Sequence, residues 1–324
     1  MKMKHISTNL CKIALAMGLA LLVAVPARAW EKGDVNGDGV VNVSDVAMLV
    51  NTIINPSKAY PQVVIDIMDD MATVSTGVFT MGATWEQGKN YYANERPLHD
   101  VTLSAFSISK HEITQDVFQR FFAYNPSQFK GDNLPVENVS WNECKAFVDS
   151  LKALTGVDFR LPTESQWEFA ARGGYMSEAY MYAAGDEIGS AAWYAGNSAN
   201  TTHQVGTLAA NEAGLYDMSG NVREWVYDNY GTYPDSAQTD PVGPVQGTQR
   251  VVRGGGWSSV AKDCRVSTRT SVSPDEKASD LGFRIVIGNE PETHGSLFRA
   301  CDMNGDGNVN TSDITLLIKE IIGQ

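Results

Sequence analysis

Two stretches of this chain are near copies of one another and lie toward opposite ends of it. Asp34 to Val46 reads DVNGDGVVNVSDV, and Asp302 to Ile314 reads DMNGDGNVNTSDI. Each runs into an amphipathic segment, VAMLVNTII after Asp45 and ITLLIKEII after Asp313. The copies start 268 residues apart (302 less 34). A loop and helix of about 23 residues has little core of its own. The repeat therefore sets a condition on everything between its copies. Either each copy stands alone, or the intervening residues fold with their ends close enough for the copies to pair; the missing core favours pairing.

The residue types in the repeat suit calcium, which takes six to eight hard oxygen ligands in a flexible shell. Positions 1, 3, 5 and 12 of a twelve-residue loop converge on one point, with the carbonyl of position 7. Here these are Asp34, Asn36, Asp38, Asp45 and the carbonyl of Val40, then Asp302, Asn304, Asp306, Asp313 and the carbonyl of Asn308. Asn42 and Asn310, at position 9, ligate directly or through water, and glycine at position 6 permits the sharp turn. Position 12 is Asp rather than Glu, one methylene shorter. The bland alternative, an Asx- and Gly-rich turn capping a helix, does not account for two copies in register. The pattern D-x-N-x-D-G-x-x-N-x-x-D plus helix, twice, resembles the dockerin module, in which two adjacent segments form a small calcium-dependent domain that binds a cohesin partner. That resemblance implies partner specificity at loop positions 10 and 11, here Val43, Ser44, Thr311 and Ser312. The departure from the family is the large insertion between the halves.

Residues 1–29 read as an export signal. Lys2, Lys4 and Lys12 precede the apolar run Ile13 to Val25, and Ala27-Arg28-Ala29 is a small-x-small cleavage site. The run is too short for a stop-transfer helix and no second long apolar stretch occurs, so no membrane span is expected. Cys11 lies before the run, which argues against a lipid anchor there. Removing the signal takes away four bases and no acid, so net charge falls from -13 to -17 (25 bases less 4, against 38 acids). A chain this acidic repels nucleic acid and anionic lipid. Three cysteines then remain, Cys144, Cys264 and Cys301, too few for a disulfide framework; one pair is possible and the sequence does not choose it.

Between the copies the chain is rich in Gly, Trp and Tyr, and an α+β fold with much irregular backbone is expected. Thr114 can cap a helix over Gln115 to Phe122. Ser140-Trp-Asn-Glu143 is a capping box opening a helix that stops at Gly156, with Cys144, Phe147, Val148, Leu151 and Leu154 on its buried face. Thr163-Glu-Ser-Gln166 is a second box, and that helix ends at Arg172-Gly173-Gly174. GVFTMG, HDVTLSAFSISKHEIT and LGFRIVIG read as strands. No Walker loop, G-x-S-x-G or H-E-x-x-H occurs, and His99, His111, His203 and His294 are scattered, so a histidine metal cluster is not expected.

The segments GVFTMG, NERPLHDVTLSAFSISKHEITQ, NLPVENVSW, FRLPTESQWEFAARGG, GLYDMSGNVREW, RVVRGGGW and DLGFRIV occur in that order. Together they resemble the formylglycine-generating enzyme (sulfatase-modifying factor) family, over about two-thirds of the chain. The resemblance implies an irregular C-type-lectin-like fold whose termini approach each other. The implied layout is a signal peptide at 1–29, a first dockerin-like half at 30–56 and a linker at 57–74. A central domain at 75–288 follows, then a linker at 289–300 and a second half at 301–324. The two halves form a small all-α calcium module.

Authentic members oxidise a sulfatase cysteine to formylglycine with oxygen and a copper ion held by two cysteines just past the RGGSW segment. Soft Cu(I) needs thiolates. Here the stretch reads RGGGWSSVAKDCRVSTR. Ser259 takes the first cysteine's place, and Cys264 falls at the second when counted forward from Trp257; anchoring on the following arginine segment places it differently. A serine hydroxyl is a poor ligand for Cu(I), so copper is not expected and Cys264 reads as a buried structural thiol. A family calcium site maps to Asp217, the carbonyls of Gly220 and Val222, and the carboxylate of Glu224. The alternative there is a tight turn with Glu224 paired to an arginine. Arg253, Trp257 and Arg284 read as core or cleft-wall residues. Three readings follow: an exported, non-catalytic protein binding an unknown ligand at a cleft near residues 256–264 and docking through the calcium module; an enzyme retaining metal-dependent oxidase chemistry; or an architectural component of the envelope.

Overall fold

In a computed structural model of the chain, the described residues are 41, 46, 62–287 and 311–323, with side chains of 313–319 in the last stretch. The chain divides into two compact units, Asp66–Asn289 and a second comprising Met1–Ile65 with Glu290–Gln324. In the second unit, helical backbone spans Thr311–Gly323. Asp313 and Leu317 are buried there, and so is Val46.

The larger unit is built from short elements. In chain order they are α1 (Gln62–Asp69), β1 (Met71–Val74), β2 (Gly77–Met81), β3 (His99–Leu103), β4 (Phe106–Ser109), α2 (Gln115–Gln119), α3 (Trp141–Thr155), β5 (Phe159–Arg160), α4 (Glu164–Ala171), α5 (Ile188–Ala191), β6 (Arg223–Asn229), β7 (Gln238–Thr239), β8 (Arg250–Arg253), β9 (Arg269–Val272), β10 (Leu281–Gly282) and β11 (Val286–Ile287). They make three sheets, ordered β1-β4-β11-β5, β10-β6-β8-β9 and β2-β3-β7. β1 and β11 both run antiparallel to β4, on its two sides, and Thr73 and Ile287 face the same residue, Ser107. With strands spaced about 4.8 Å apart, Thr73 and Ile287, near the two ends of this unit, lie about 10 Å apart.

The helix starts follow their caps. Ser140 Oγ accepts from Glu143 N while the Glu143 carboxylate accepts from Ser140 N, and Thr163 with Gln166 repeats the arrangement. α3 stops at Gly156, which adopts φ +72. Cys144, Phe147, Val148 and Leu151 are buried as the spacing predicts, but Leu154 is 46% exposed. It lies in the last turn and toward one flank of the apolar stripe. α2 is shorter than expected, ending at Gln119, and the backbone then turns, with Phe121 N donating to Phe118 O. The stretch expected as a linker, 57–74, carries regular structure from residue 62 on. α1 and β1 lie in that stretch, Val64 and Ile67 are buried, and β1 is hydrogen-bonded into a sheet. The linker at 289–300 lies outside the described residues.

α4 runs through the middle of the core, with all eight of its residues buried. Its apolar residues Trp167, Phe169, Ala170 and Ala171 join Leu103, Ile108, Val226 and Val251 in one cluster. Its acids reach out to arginines on other elements. Glu164 is gripped by Arg269 through two bonds of 2.6 Å, and Glu168 pairs with Arg253 and Arg172. Glu95 and Arg265 form a further buried pair at 2.6 Å. A charge of this kind is tolerable in a dry core only when its partner and its remaining hydrogen bonds are in place. These pairs therefore fix how α4 and the loops before β3 and β9 sit together.

Candidate functional site

After β8 the chain makes a tight excursion that forms one wall of a cleft. Gly254 and Gly255 both take left-handed backbone. Ser259 N donates to Gly256 O at 2.9 Å and Ser259 Oγ accepts from Gly256 N at 3.0 Å, closing a turn. A single 3-10 turn, Ala261–Cys264, follows. The cleft beside this turn has a volume of about 330 Å3 and is lined by Arg223, Ser258, Ser259, Val260, Asp263 and Asp280, among others. Its polar floor is internally matched: Arg223 donates to both oxygens of Asp280 (2.6 and 3.1 Å), and Ser258 Oγ donates to Asp280 at 3.0 Å. At the rim, Tyr92 OH donates to Asp263 at 2.8 Å and Lys262 Nζ sits 3.6 Å above the Tyr92 ring.

Cys264 is fully buried and does not line this cleft. Burial, and secondarily the charge of Asp263, pushes its thiol up to about 12. Backbone packs directly on the sulfur: a Cβ at Gly255 would lie 2.8 Å from Sγ, so only glycine fits there. Ser259, for its part, has its hydroxyl in the turn. Cu(I) requires thiolate donors that can converge on it. One buried neutral thiol and one turn-forming hydroxyl do not fit that ion. Arg253 forms part of the cleft wall and is fully buried, while Trp257 is half-buried, with its indole donating to Ser279 O at 2.8 Å.

In the 217–224 segment, where a calcium site was expected, the carboxylate of Glu224 is paired with an arginine. Arg284 donates to both oxygens of Glu224, at 2.7 to 2.9 Å, and Trp167 Nε1 adds a second partner at 2.7 Å. This is the arginine-paired alternative for Glu224. Asp217 accepts from Gly206 N at 2.7 Å, while the backbone of Gly220 and Val222 belongs to a turn. That turn is organised by Glu112, a residue the motifs did not flag. Its carboxylate accepts from Asn221 Nδ2 (2.8 Å) and Val222 N (3.1 Å), and burial raises its pKa well above the usual carboxylate range. The signal available in the sequence was an acid embedded in the alternating apolar segment SISKHEIT. Among the described residues, no group of three or more His, Cys, Asp or Glu is arranged to hold a metal.

Of the repeat residues, Asp34, Asn36, Asp38, Val40, Asn42, Val43, Ser44, Asp45, Asp302, Asn304, Asp306, Asn308 and Asn310 lie outside the described residues. Thr311 and Ser312 open the terminal helix, and Asp313 is buried one residue on. No described helix is long and apolar enough to cross a membrane.

Residues 59–289 match the Sulfatase-modifying factor enzyme 1-like domain, and residues 32–72 and 281–322 match the Dockerin type I domain. The Chaperone protein LppX of Paenibacillus barcinonensis is 30% identical over 270 residues, covering 68% of this chain and 90% of that protein. The Formylglycine-generating enzyme of Streptomyces coelicolor is 36% identical over 171 residues, covering 47% of this chain and 52% of the enzyme. Among solved structures, Treponema denticola variable protein 1 superposes with a TM-score of 0.61 at 31% identity, covering 67% of this chain and 94% of that one.

Proposed function

Because the chain belongs to the Sulfatase-modifying factor enzyme 1-like family and carries dockerin type I segments on both sides of that domain, we propose that it is an exported, non-catalytic docking protein. Its C-type-lectin-like α+β domain offers the cleft beside Ser259 to a ligand. The two dockerin halves bind calcium, pair with each other and attach the protein to a cohesin-like partner. The observation that carries the non-catalytic reading is the state of Cys264: buried, neutral at physiological pH and roofed by Gly255. Pairing of the halves is supported by β1 and β11 flanking β4, which brings the two ends of the central domain together. It is also supported by the division of the chain, in which both termini fall in one compact unit.

The test of catalysis is direct. Purified protein is titrated with Cu(I) against a competing chelator, and a sulfatase-type cysteine peptide is followed by mass. No stoichiometric copper binding and no loss of the peptide thiol are expected. Tight one-to-one binding that disappears in Cys264→Ala, or conversion of the peptide, overturns the reading. For docking, limited proteolysis is followed during a calcium titration. Asp302→Ala should expose the N-terminal loop as well as its own; independent protection of the two ends refutes pairing.

A further inference from the structure

A second cavity, of about 260 Å3, shares no lining residue with the cleft beside Ser259. It is walled by β3, the start of α4, the end of β6 and the loop 231–244. Five buried ionisable side chains face it: His99, Glu164, Asp228, Tyr233 and Arg269. Three of them complete one another. Arg269 grips Glu164 through Nε and Nη2, and its Nη1 donates to Gly231 O at 2.8 Å. Tyr233 OH donates to Glu164 Oε1 at 3.1 Å. The remaining two do not saturate. The ring of His99 has Nδ1 3.3 Å from the carbonyl of Pro97, which can only accept; in the neutral ring the tautomer that fits this contact carries its proton on Nδ1 and offers Nε2 as an acceptor. Asp228 accepts from Glu164 N through Oδ2 at 2.8 Å, leaving Oδ1 without a hydrogen-bond partner among the described residues. His99 is 6% and Asp228 4% exposed, so the cavity is what each free atom can reach. Gly243 borders Asp228 there, and a Cβ at that position would lie 2.8 Å from Oδ1.

The backbone N–H of Glu164, the Arg269 guanidinium and the Tyr233 hydroxyl are engaged as donors, and the groups left to meet a ligand are acceptors once Asp228 is ionised: its Oδ1, and Nε2 of the neutral His99 ring. A ligand that completes such a site supplies N–H donors, and positive charge suits the carboxylate. We propose that this cavity binds a small organic cation bearing at least two N–H donors, held by Asp228 Oδ1 and His99 Nε2. The Tyr233 ring, edge-on to His99 with centroids 4.9 Å apart, forms an aromatic wall beside it. The Arg269 charge is matched by Glu164, so an ionised Asp228 leaves the cavity attractive to a cation. Before binding, burial and then the neighbouring Glu164 charge hold the Asp228 carboxyl up at about 8, against the opposing pull of Arg269 and Arg160. Binding of a cation at pH 7 therefore expels close to one proton.

The experiment is calorimetry on the full-length protein at pH 7 with agmatine and, separately, 1,4-diaminobutane, each in two buffers of different ionisation heat. Saturable binding of at least one of them is expected, with about one proton released per site. Asp228→Asn keeps the acceptor for Glu164 N; it should abolish the proton release and weaken binding at least about tenfold. His99→Phe should weaken binding without removing the proton release. Absence of binding by both cations at millimolar concentration overturns the proposal. So does binding that both substitutions leave unchanged while thermal unfolding confirms that the variants are folded.

Discussion

Removing one guanidinium from the core tests the pairing of Glu224 with Arg284. Arg284 is fully buried and donates to Glu224, to Ser109 O (3.1 Å), Lys110 O (3.2 Å) and Tyr216 O (2.9 Å). Arg284→Met keeps much of the stem volume but strips Glu224 of every partner except Trp167 Nε1. Breaking a buried pair from one side costs about 3–5 kcal/mol, because a charge is left in the dry interior. For a unit of this size that corresponds to a melting point lower by about 6–20 °C. The double variant Glu224→Gln/Arg284→Met should recover a large part of the loss. The assay is urea unfolding followed by fluorescence of the buried Trp167 and Trp225, with calcium and with chelator. A loss below about 1 kcal/mol, the worth of an exposed pair, refutes the argument. So does a calcium-dependent stabilisation of this transition that vanishes in Glu224→Gln, which would restore the cation site.

Two further outcomes concern the helix α3 and Asp228. Leu151→Ala should cost about 2–5 kcal/mol in a urea titration, whereas Leu154→Ala, on an exposed position of the same helix, should stay within about 0.5 kcal/mol. Asp228 gives a pH signature: its native pKa, about 8, lies above the unfolded value. Between roughly pH 4 and pH 8 the native state therefore holds a proton that the unfolded state has lost. Its contribution is present at low pH and fades as pH rises through that window. Asp228→Asn should flatten this decline in a stability-against-pH series, and an unchanged slope counts against the assignment.

What could be read from the sequence was whatever is encoded locally. Ser140 with Glu143 and Thr163 with Gln166 carry their helix starts within four residues, and the ordered segments carry the family. The misses have long reach. Glu168 meets Arg253 across 85 residues and Glu95 meets Arg265 across 170, separations that leave no periodic trace. Glu224 looked like a metal ligand because its motif is local, while its actual partner, Arg284, lies 60 residues on. α1 and β1 hid in QVVIDIMDDMATV, a short mixed run that reads as readily as a tether; its strand character comes from β4, which is contributed by residues 106–109. The second cavity gave no warning either, since His99 and Asp228 belong to different sheets.

The placement of β11 has a consequence for biogenesis. It is the last strand of its unit in the chain yet lies inside its sheet, between β4 and β5. Until residue 287 has left the ribosome, β4 and β5 each present an unpaired rim to whatever is nearby. A chain truncated anywhere before β11 is not a smaller version of this protein but an adhesive one. Such late, long-range closure delays folding until the unit has been made, which leaves an extended polypeptide to be held apart from its neighbours in the meantime.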